Sequence, residues 1–387
     1  SNWSQREHDM TKNAKKELLQ AVRARYLKAN KAGKERILDE FVASTGYHRK
    51  YAIKLLNHGP KPRGFQKKGR PKLYQGEVVA ALVRIWEICG RICSKRLKPF
   101  LPEIVAVLER QEELILPVQV KSLLLRMSRA TIDRCLKPAR FEKQHGLSTT
   151  KPGSLLKKAI PVRTFADWDD ARPGFVEVDL VAHCGETVHG QYLNTLSVVD
   201  VSTGWIECLA LAHRSQQMVS AAIVELRQRL PFPLIGLDSD NGSEFINDTL
   251  YRYCLDEHIT FTRSRPYKKN DQAHVEQKNW SVIRLLIGYD RLETQAELNL
   301  LNVIYTDLRL YTNFFQPVLK LVAKDRVGNR IIKRYDPATT PFRRVLASAE
   351  VSTADKLRLL NLYPQLNPVT LRDRIDQNVA NLWKIHG

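Results

Sequence analysis

Asp238-Ser-Asp-Asn-Gly-Ser-Glu-Phe245, followed by Lys269-Asn-Asp-Gln-Ala-His-Val-Glu-Gln-Lys278, is the stretch that decides the fold. Between Asp240 and Glu276 lie 35 residues, and a third acid, Asp179, stands upstream in Phe175-Val-Glu-Val-Asp-Leu-Val181. Carboxylates brought within ~4 Å of one another repel by about 4 kcal/mol at an effective dielectric of 20. A site that gathers three of them therefore needs cationic side chains or metal ions. Two Mg²⁺ ions would satisfy an all-oxygen donor set, and paired Mg²⁺ ions cut and join phosphodiesters.

The surrounding pattern gives these acids a scaffold. Val176, Val178 and Leu180 alternate with Glu177 and Asp179, which predicts a strand with one acidic face. Tyr192 to Val201 and Trp205 to Ala212 predict two more strands, joined by a turn at Ser202-Thr203-Gly204. A helix over Gln216 to Leu230, a buried strand over Leu234 to Asp240, and a helix over Ser243 to Glu257 follow. A strand over Ile259 to Arg263 and a helix over Gln272 to Ile287 complete a mixed sheet flanked by helices. In this frame Asp179 projects from the first strand, Asp240 ends the fourth before the Asn241-Gly242 turn, and Glu276 starts a helix. Asp238 and Glu177 are rivals on the same strand faces. Asp238 lacks the Asn-Gly sequel, which favours Asp240. Asp200 reads as a turn residue and His274 as a packing residue.

The first 140 residues are helical and basic. Helices are expected over Ala14–Asn30, Lys34–Ser44 and Arg49–His58, with a break at Thr45-Gly46-Tyr47. Others are expected over Gln75–Cys93, Leu101–Gln111, Val118–Met127 and Arg129–Leu136, with helical patterning ending at Pro138. The division that follows is 1–60 helical, 61–74 a basic linker, 75–140 a second helical domain and 141–172 a connector. The sheet domain takes 173–316, and a long helix over Thr294–Phe315 closes it. A small basic region, 317–387, holds a short hairpin and further helices. The fold class is multidomain, α followed by α/β.

Composition points to a polyanionic partner. Against 41 acidic residues stand 62 Lys and Arg, for a net charge of +21 and a pI near 9.7. Basic ribosomal, chaperone-like and membrane-surface proteins share that property. No run approaches the ~18–20 apolar residues of a membrane span, so no membrane partner is expected. The six cysteines are scattered. Cys89 and Cys93 fall four apart on one face of an expected helix, and no second pair follows at zinc-finger spacing. They read as buried core thiols in a reducing, cytoplasmic setting.

Three segments look made for DNA. Lys34–His58 has helix-turn-helix character, with His48, Arg49, Lys50 and Lys54 offered outward while Ile53 and Leu56 pack inward. A plain basic helical hairpin is the alternative. Val118–Leu136 resembles a second such unit, with Arg129 and Arg134 on its second helix. Between them Lys67-Lys-Gly-Arg-Pro-Lys72 is similar to an AT-hook, with Lys67, Lys68, Arg70 and Lys72 available to a minor groove or to phosphates.

On Val178-Asp179-Leu180, Asp240-Asn-Gly-Ser243 and Asn270-Asp-Gln-Ala-His-Val-Glu276, residues 174–290 resemble the catalytic core of retroviral integrases. They equally resemble the related Asp-Asp-35-Glu transposases of bacterial insertion sequences. Asn313-Phe-Phe-Gln-Pro317 and Lys333-Arg-Tyr-Asp336 look like the bacterial members. The resemblance implies an RNase H-like core in which Asp179, Asp240 and Glu276 hold two Mg²⁺ ions, with Mn²⁺ able to substitute. It also implies 3′-end cleavage at terminal inverted repeats and strand transfer into target double-stranded DNA, by a homo-oligomer on a bacterial nucleoid. Relatives often carry a basic residue one or two turns after the Glu. Here those positions are Trp280 and Ile283, so Lys278 and Arg284 are the basic candidates for holding DNA. Two other readings stay open: a domesticated DNA-binding regulator, and an RNase H-like nuclease without joining activity. The N-terminus lacks the His-His-Cys-Cys arrangement of retroviral integrases.

Overall fold

The computed structural model of this chain describes residues 10–60, 73–141, 172–239, 242, 244–245, 247–263, 273–328 and 330–386. Contacts divide the chain into two units, Ser1–Leu73 and Tyr74–Gly387.

In the first unit three helices surround a small core: α1 (Lys12–Lys28), α2 (Lys31–Thr45) and α3 (Arg49–His58). Leu19 and Tyr26 of α1 meet Ile37, Leu38 and Phe41 of α2 and Ala52, Leu55 and Leu56 of α3. The side chains of Thr11, Asn30 and His48 cap the three N-termini. Gly46 ends α2 at φ 68°, a left-handed conformation natural to glycine, and a short turn leads into α3. The expected inward position of Ile53 is corrected: it is 37% exposed, and Ala52 takes its place in the core. Apolar residues in adjacent pairs at 52–53 and 55–56 leave the helix phase ambiguous until α1 and α2 select a face.

The second unit opens with α4 (Glu77–Ile88), α5 (Ser94–Arg110), α6 (Val118–Arg126) and α7 (Arg129–Phe141). Three sequence expectations change here. Gly90 (φ 68°) and Arg91 (φ 58°) reverse the chain after α4, so Cys89 is buried while Cys93, N-cap of α5, is exposed. The pair does not share a helix. Helix α5 begins well before Leu101 and contains Pro99 and Pro102. Its buried stripe of Leu97, Phe100, Leu101, Ile104, Val105 and Leu108 outweighs the cost of two prolines. Likewise α7 runs through Pro138.

The sheet follows: β1 (Phe175–Ala182), β2 (Asn194–Asp200) and β3 (Ile206–Leu211) form an antiparallel meander. Helix α8 (Gln216–Arg229) crosses to β4 (Gly236–Ser239), and α9 (Asp248–Asp256) crosses to β5 (Thr260–Arg263). Both β4 and β5 run parallel to β1, giving the order β3-β2-β1-β4-β5. The result is a mixed α/β architecture with many helices. At the end of β2, Asp200 is buried and accepts from Gly174 N (2.8 Å), Thr203 N (2.7 Å) and Thr203 Oγ1 (2.6 Å). It is the turn residue the sequence suggests.

Helix α10 (Ala273–Lys278) continues as a π-helical turn, Asn279–Arg284, and then α11 (Leu285–Ile287). Beyond it α12 (Gln295–Phe315) lies along β3, the hairpin β6 (Leu321–Val327) and β7 (Arg330–Tyr335) follows, and α13 (Pro341–Ala347), α14 (Thr353–Leu362) and α15 (Pro368–His386) end the chain. These helices share one core with α4–α7. Tyr311 Oη donates to Ile88 O (2.7 Å), Gln316 Nε2 to Cys89 O (2.9 Å) and Tyr363 Oη to Glu103 Oε1 (2.7 Å). Glu207, fully buried on β3, receives Arg309 of α12 through two bonds of 2.6 and 2.8 Å, and Trp205 Nε1 at 2.8 Å. Among the described residues no helix is long and apolar enough to cross a membrane.

Removing one partner of a buried ion pair strands the other charge, at a cost of ~3–5 kcal/mol. Arg309→Ala should therefore lower the unfolding free energy by about that much, read from urea denaturation. Asp200 gives a pH signature. Burial lifts its carboxyl from 3.8 to about 6, against the opposing pull of Thr203 and Gly174. The folded state then holds the proton more tightly than the unfolded chain. Its stabilisation is present in full below pH 3.8 and is lost as pH rises through about 6. The stability difference between wild type and Asp200→Asn should fall by up to ~3 kcal/mol between pH 4 and 7, measured by denaturant titration at each pH.

Candidate active site

Two hydrogen bonds tie α10 and its π-helical continuation to β1. Glu177, fully buried, accepts from Val275 N at 2.8 Å. Val275 is the third residue of α10, so a strand carboxylate satisfies one of the N–H groups that a helix start leaves open. One turn later Asn279 Nδ2 donates to Asp179 Oδ2 at 2.6 Å, and Ser197 Oγ on β2 donates to Asn279 Oδ1 at 2.5 Å. Asp179 is also fixed through Oδ1, which accepts from Leu180 N at 2.8 Å. Unlike Glu177, Asp179 is only half-buried.

Glu276 stands three residues before Asn279, so the two are neighbours on adjoining turns, one outward and one toward β1. The segment that carries Glu276 is thus anchored to Asp179 itself, and Glu276 is exposed. Its neighbours Val275, Asn279 and Ile283 are buried.

On the next strand Asp238 is buried and its Oδ1 accepts from Thr262 Oγ1 of β5 at 2.6 Å. Parallel pairing sets Glu177 opposite Asp238. The two rival acids are therefore neighbours inside the sheet, each engaged by a hydrogen-bond donor. Asp240 lies outside the described residues, as do Asn270 and Asp271. Among the described residues no group of three His, Cys, Asp or Glu is placed to hold a metal ion.

The basic candidates beside Glu276 are both partly buried. Lys278 is half-buried, and its amine is pushed down to about 7 by burial, with Arg96 of α5 acting in the same direction. Arg284 donates to Ala182 O (2.7 Å) and Gly288 O (3.2 Å) and lies over the Tyr289 ring at 4.7 Å. His274, expected to pack, is exposed. Sequence reasoning missed Asn279 and Ser197. A polar Asn one turn after Glu276, within an otherwise apolar stripe, was the available signal for the first; nothing local marks the second.

In the three-helix unit Lys50 and Lys54 are exposed on α3. His48 caps the helix through Nδ1, and Arg49 pairs with Asp39 and, at 3.8 Å, with Glu35. Arg129 and Arg134 are exposed on α7, and Arg134 bonds back to Ala130 O and Thr131 Oγ1. Lys67, Lys68, Arg70 and Lys72 lie outside the described residues.

Comparison with known proteins adds a family. No family model matches the sequence. The chain is 44% identical over 332 residues to the uncharacterized protein y4rM of Sinorhizobium fredii (strain NBRC 101917 / NGR234), across 85% of this chain and 94% of that protein. It belongs to the family of that protein. Among solved structures, the catalytic core domain of BIV integrase matches with a TM-score of 0.30 and 18% identity, over 44% of this chain and 91% of that one.

Asn279→Ala removes the bond to the Asp179 carboxyl and leaves Ser197 Oγ only its longer bond to Asp179 O, at 3.3 Å. A loss of ~2–3 kcal/mol in unfolding free energy is expected, checked by urea denaturation at pH 7.

Proposed function

We propose that this chain is a DNA transposase or integrase that binds the terminal inverted repeats of its element. It cleaves at the 3′ ends and transfers the freed strands into target DNA. The observation that carries the proposal is the Asn279–Asp179 bond, which ties the exposed Glu276 to the strand bearing Asp179. Strand register supports it. Two residues beyond the Glu177–Asp238 pair, the sequence carries Asp179 after the first and Asp240 after the second. The proposed site therefore comprises Asp179, Asp240 and Glu276, with the place of Asp240 beside Asp179 a part of the proposal.

The donor set suits magnesium. Asp179 and Glu276 offer only oxygen, and a hard cation of this size binds through one or two carboxylates while keeping much of its water. Asp179, Asp240 and Glu276 would hold two such ions, which supply activation of the attacking oxygen and stabilisation of the leaving one. The protein's own part is positional. Asn279 and Leu180 N fix the Asp179 carboxylate, and the α10 anchor keeps Glu276 on the solvent side, where DNA approaches. Water attacks the phosphodiester at the element end, breaking its P–O bond and freeing a 3′-hydroxyl. That hydroxyl then attacks a target phosphodiester in line, joining the two strands and releasing a target 3′-hydroxyl.

The three-helix unit, with Lys50 and Lys54 outward, is proposed to read the repeats, and a homo-oligomer to hold two ends together. A cytoplasmic, nucleoid-bound location follows from that role.

Duplexes carrying the inverted repeats that flank the gene test this directly. With Mg²⁺, wild type should nick and join. Asp179→Asn, Asp240→Ala and Glu276→Gln should each cut at least ~10³-fold more slowly, a barrier rise of about 4 kcal/mol, while still binding DNA. Cleavage surviving in Asp240→Ala would end the assignment of these acids. Cleavage without joining would leave a nuclease, and binding without cleavage a regulator.

A further inference from the structure

Trp280 stands one helical turn beyond Glu276 and is 55% exposed. Residues four apart on a helix lie within about 40° of one another, so the indole borders the same surface as the carboxylate. The buried stripe of Val275, Asn279 and Ile283 confirms that rotation, because it leaves 276 and 280 together on the outer side. Of the two basic residues of the segment, Arg284 is committed to Ala182 O and Gly288 O, and Lys278 is half-buried near Arg96. Among the described residues of this segment, what stands next to the acid is therefore a flat aromatic system and not a cation.

We propose that Trp280 is a stacking platform for an unpaired nucleobase of the DNA strand held over the acid site. The inference rests on the transposase reading and deepens it. A cation at this position would grip a phosphate. An indole offers a phosphate nothing, but it offers a base a π-face, and such stacking tolerates any base. Inside a duplex both faces of every base are covered by its neighbours, so only a base that has left the stack can be met. One helical turn rises about 5.4 Å, and a strand advances about 3.4 Å per nucleotide. The captured base accordingly lies within about two nucleotides of the phosphate that Glu276 faces. Trp280 acts as a positioning residue: it holds the strand end open so that the scissile bond stays at the carboxylates.

The test uses the full chain in EDTA, so that binding is read apart from cleavage. The probes are a 2-aminopurine oligonucleotide pair, fully paired in one form and with two unpaired nucleotides at one end in the other. Wild type should prefer the unpaired form and quench its 2-aminopurine. Trp280→Ala should bind that form about 5- to 100-fold more weakly and lose the quench. Trp280→Phe should restore most of both, and all three proteins should bind the fully paired form alike. Equal loss on both forms, or no loss on either, overturns the stacking role. A change in oligomeric mass in Trp280→Ala with the preference for the unpaired form intact also overturns it, and marks the indole as a subunit contact. If wild type binds neither DNA form, the transposase reading fails with it. If wild type binds in EDTA, and cuts when Mg²⁺ is supplied, while the preference ignores Trp280, only the stacking inference fails.

Discussion

The candidate site depends on a match of two repeats. From Val275 to Asn279 the helix advances four residues, about 6 Å, and from Glu177 to Asp179 the strand advances two, about 6.6 Å. Because the two distances agree, both bonds from the helix to β1 form at once, at 2.8 and 2.6 Å. One such bond would leave the helix able to rotate about it; two fix its rotation and its register. The exposed side of α10 is then determined, and with it the location of Glu276.

The winding of the helix preserves that alignment. In a regular α-helix, residues four apart drift by about 40° at each step, so a stripe at 275, 279, 283 and 287 would wander off the strand. The π-helical turn from Asn279 to Arg284 inserts one more residue per hydrogen-bonded turn and offsets the drift. Val275, Asn279, Ile283 and Ile287 are accordingly all buried. The departure from α geometry starts at the residue that bonds Asp179.

This explains what the sequence could and could not reveal. The period-two run over 175–182, the turn at 202–204 and the alternation of strands with helices are local, and the sheet appears where they place it. The choice between Glu177 and Asp179 is not local, since both lie on one strand face. Burial separates them: α10 covers the first and leaves the second half-open. The phase of α3, the prolines within α5 and α7 and the split of Cys89 from Cys93 are also tertiary decisions. In each case a packed face, or a left-handed pair of residues, overrode the nearest sequence signal. The π turn has no signature in single-residue propensities; it answers to the spacing of β1.

Charge follows the same logic. The net charge of +21 already cancels paired cations against their acids, but the count of 62 Lys and Arg overstates the cations free to meet a polyanion, because several are engaged within the protein. Arg309 is held by Glu207, Arg374 by Asp307, Arg344 by Asp336 and Arg284 by two carbonyls. Arg49 shares its charge with Asp39 and Glu35 on α2. A cation already paired with a carboxylate must give up that partner to take a phosphate, and it contributes correspondingly less to a salt-dependent grip. On α3 the stronger electrostatic candidates are therefore Lys50 and Lys54, while Arg49 secures the helix that presents them. The outer surface of the three-helix unit thus carries charge for a long-range partner, whereas the surface at Glu276 carries a carboxylate and an indole. Under the proposed function, such an arrangement would separate capture of DNA from chemistry upon it. On that same proposal, strong cationic binding at the second surface would hold the strand by its phosphates, the groups the carboxylates are proposed to reach.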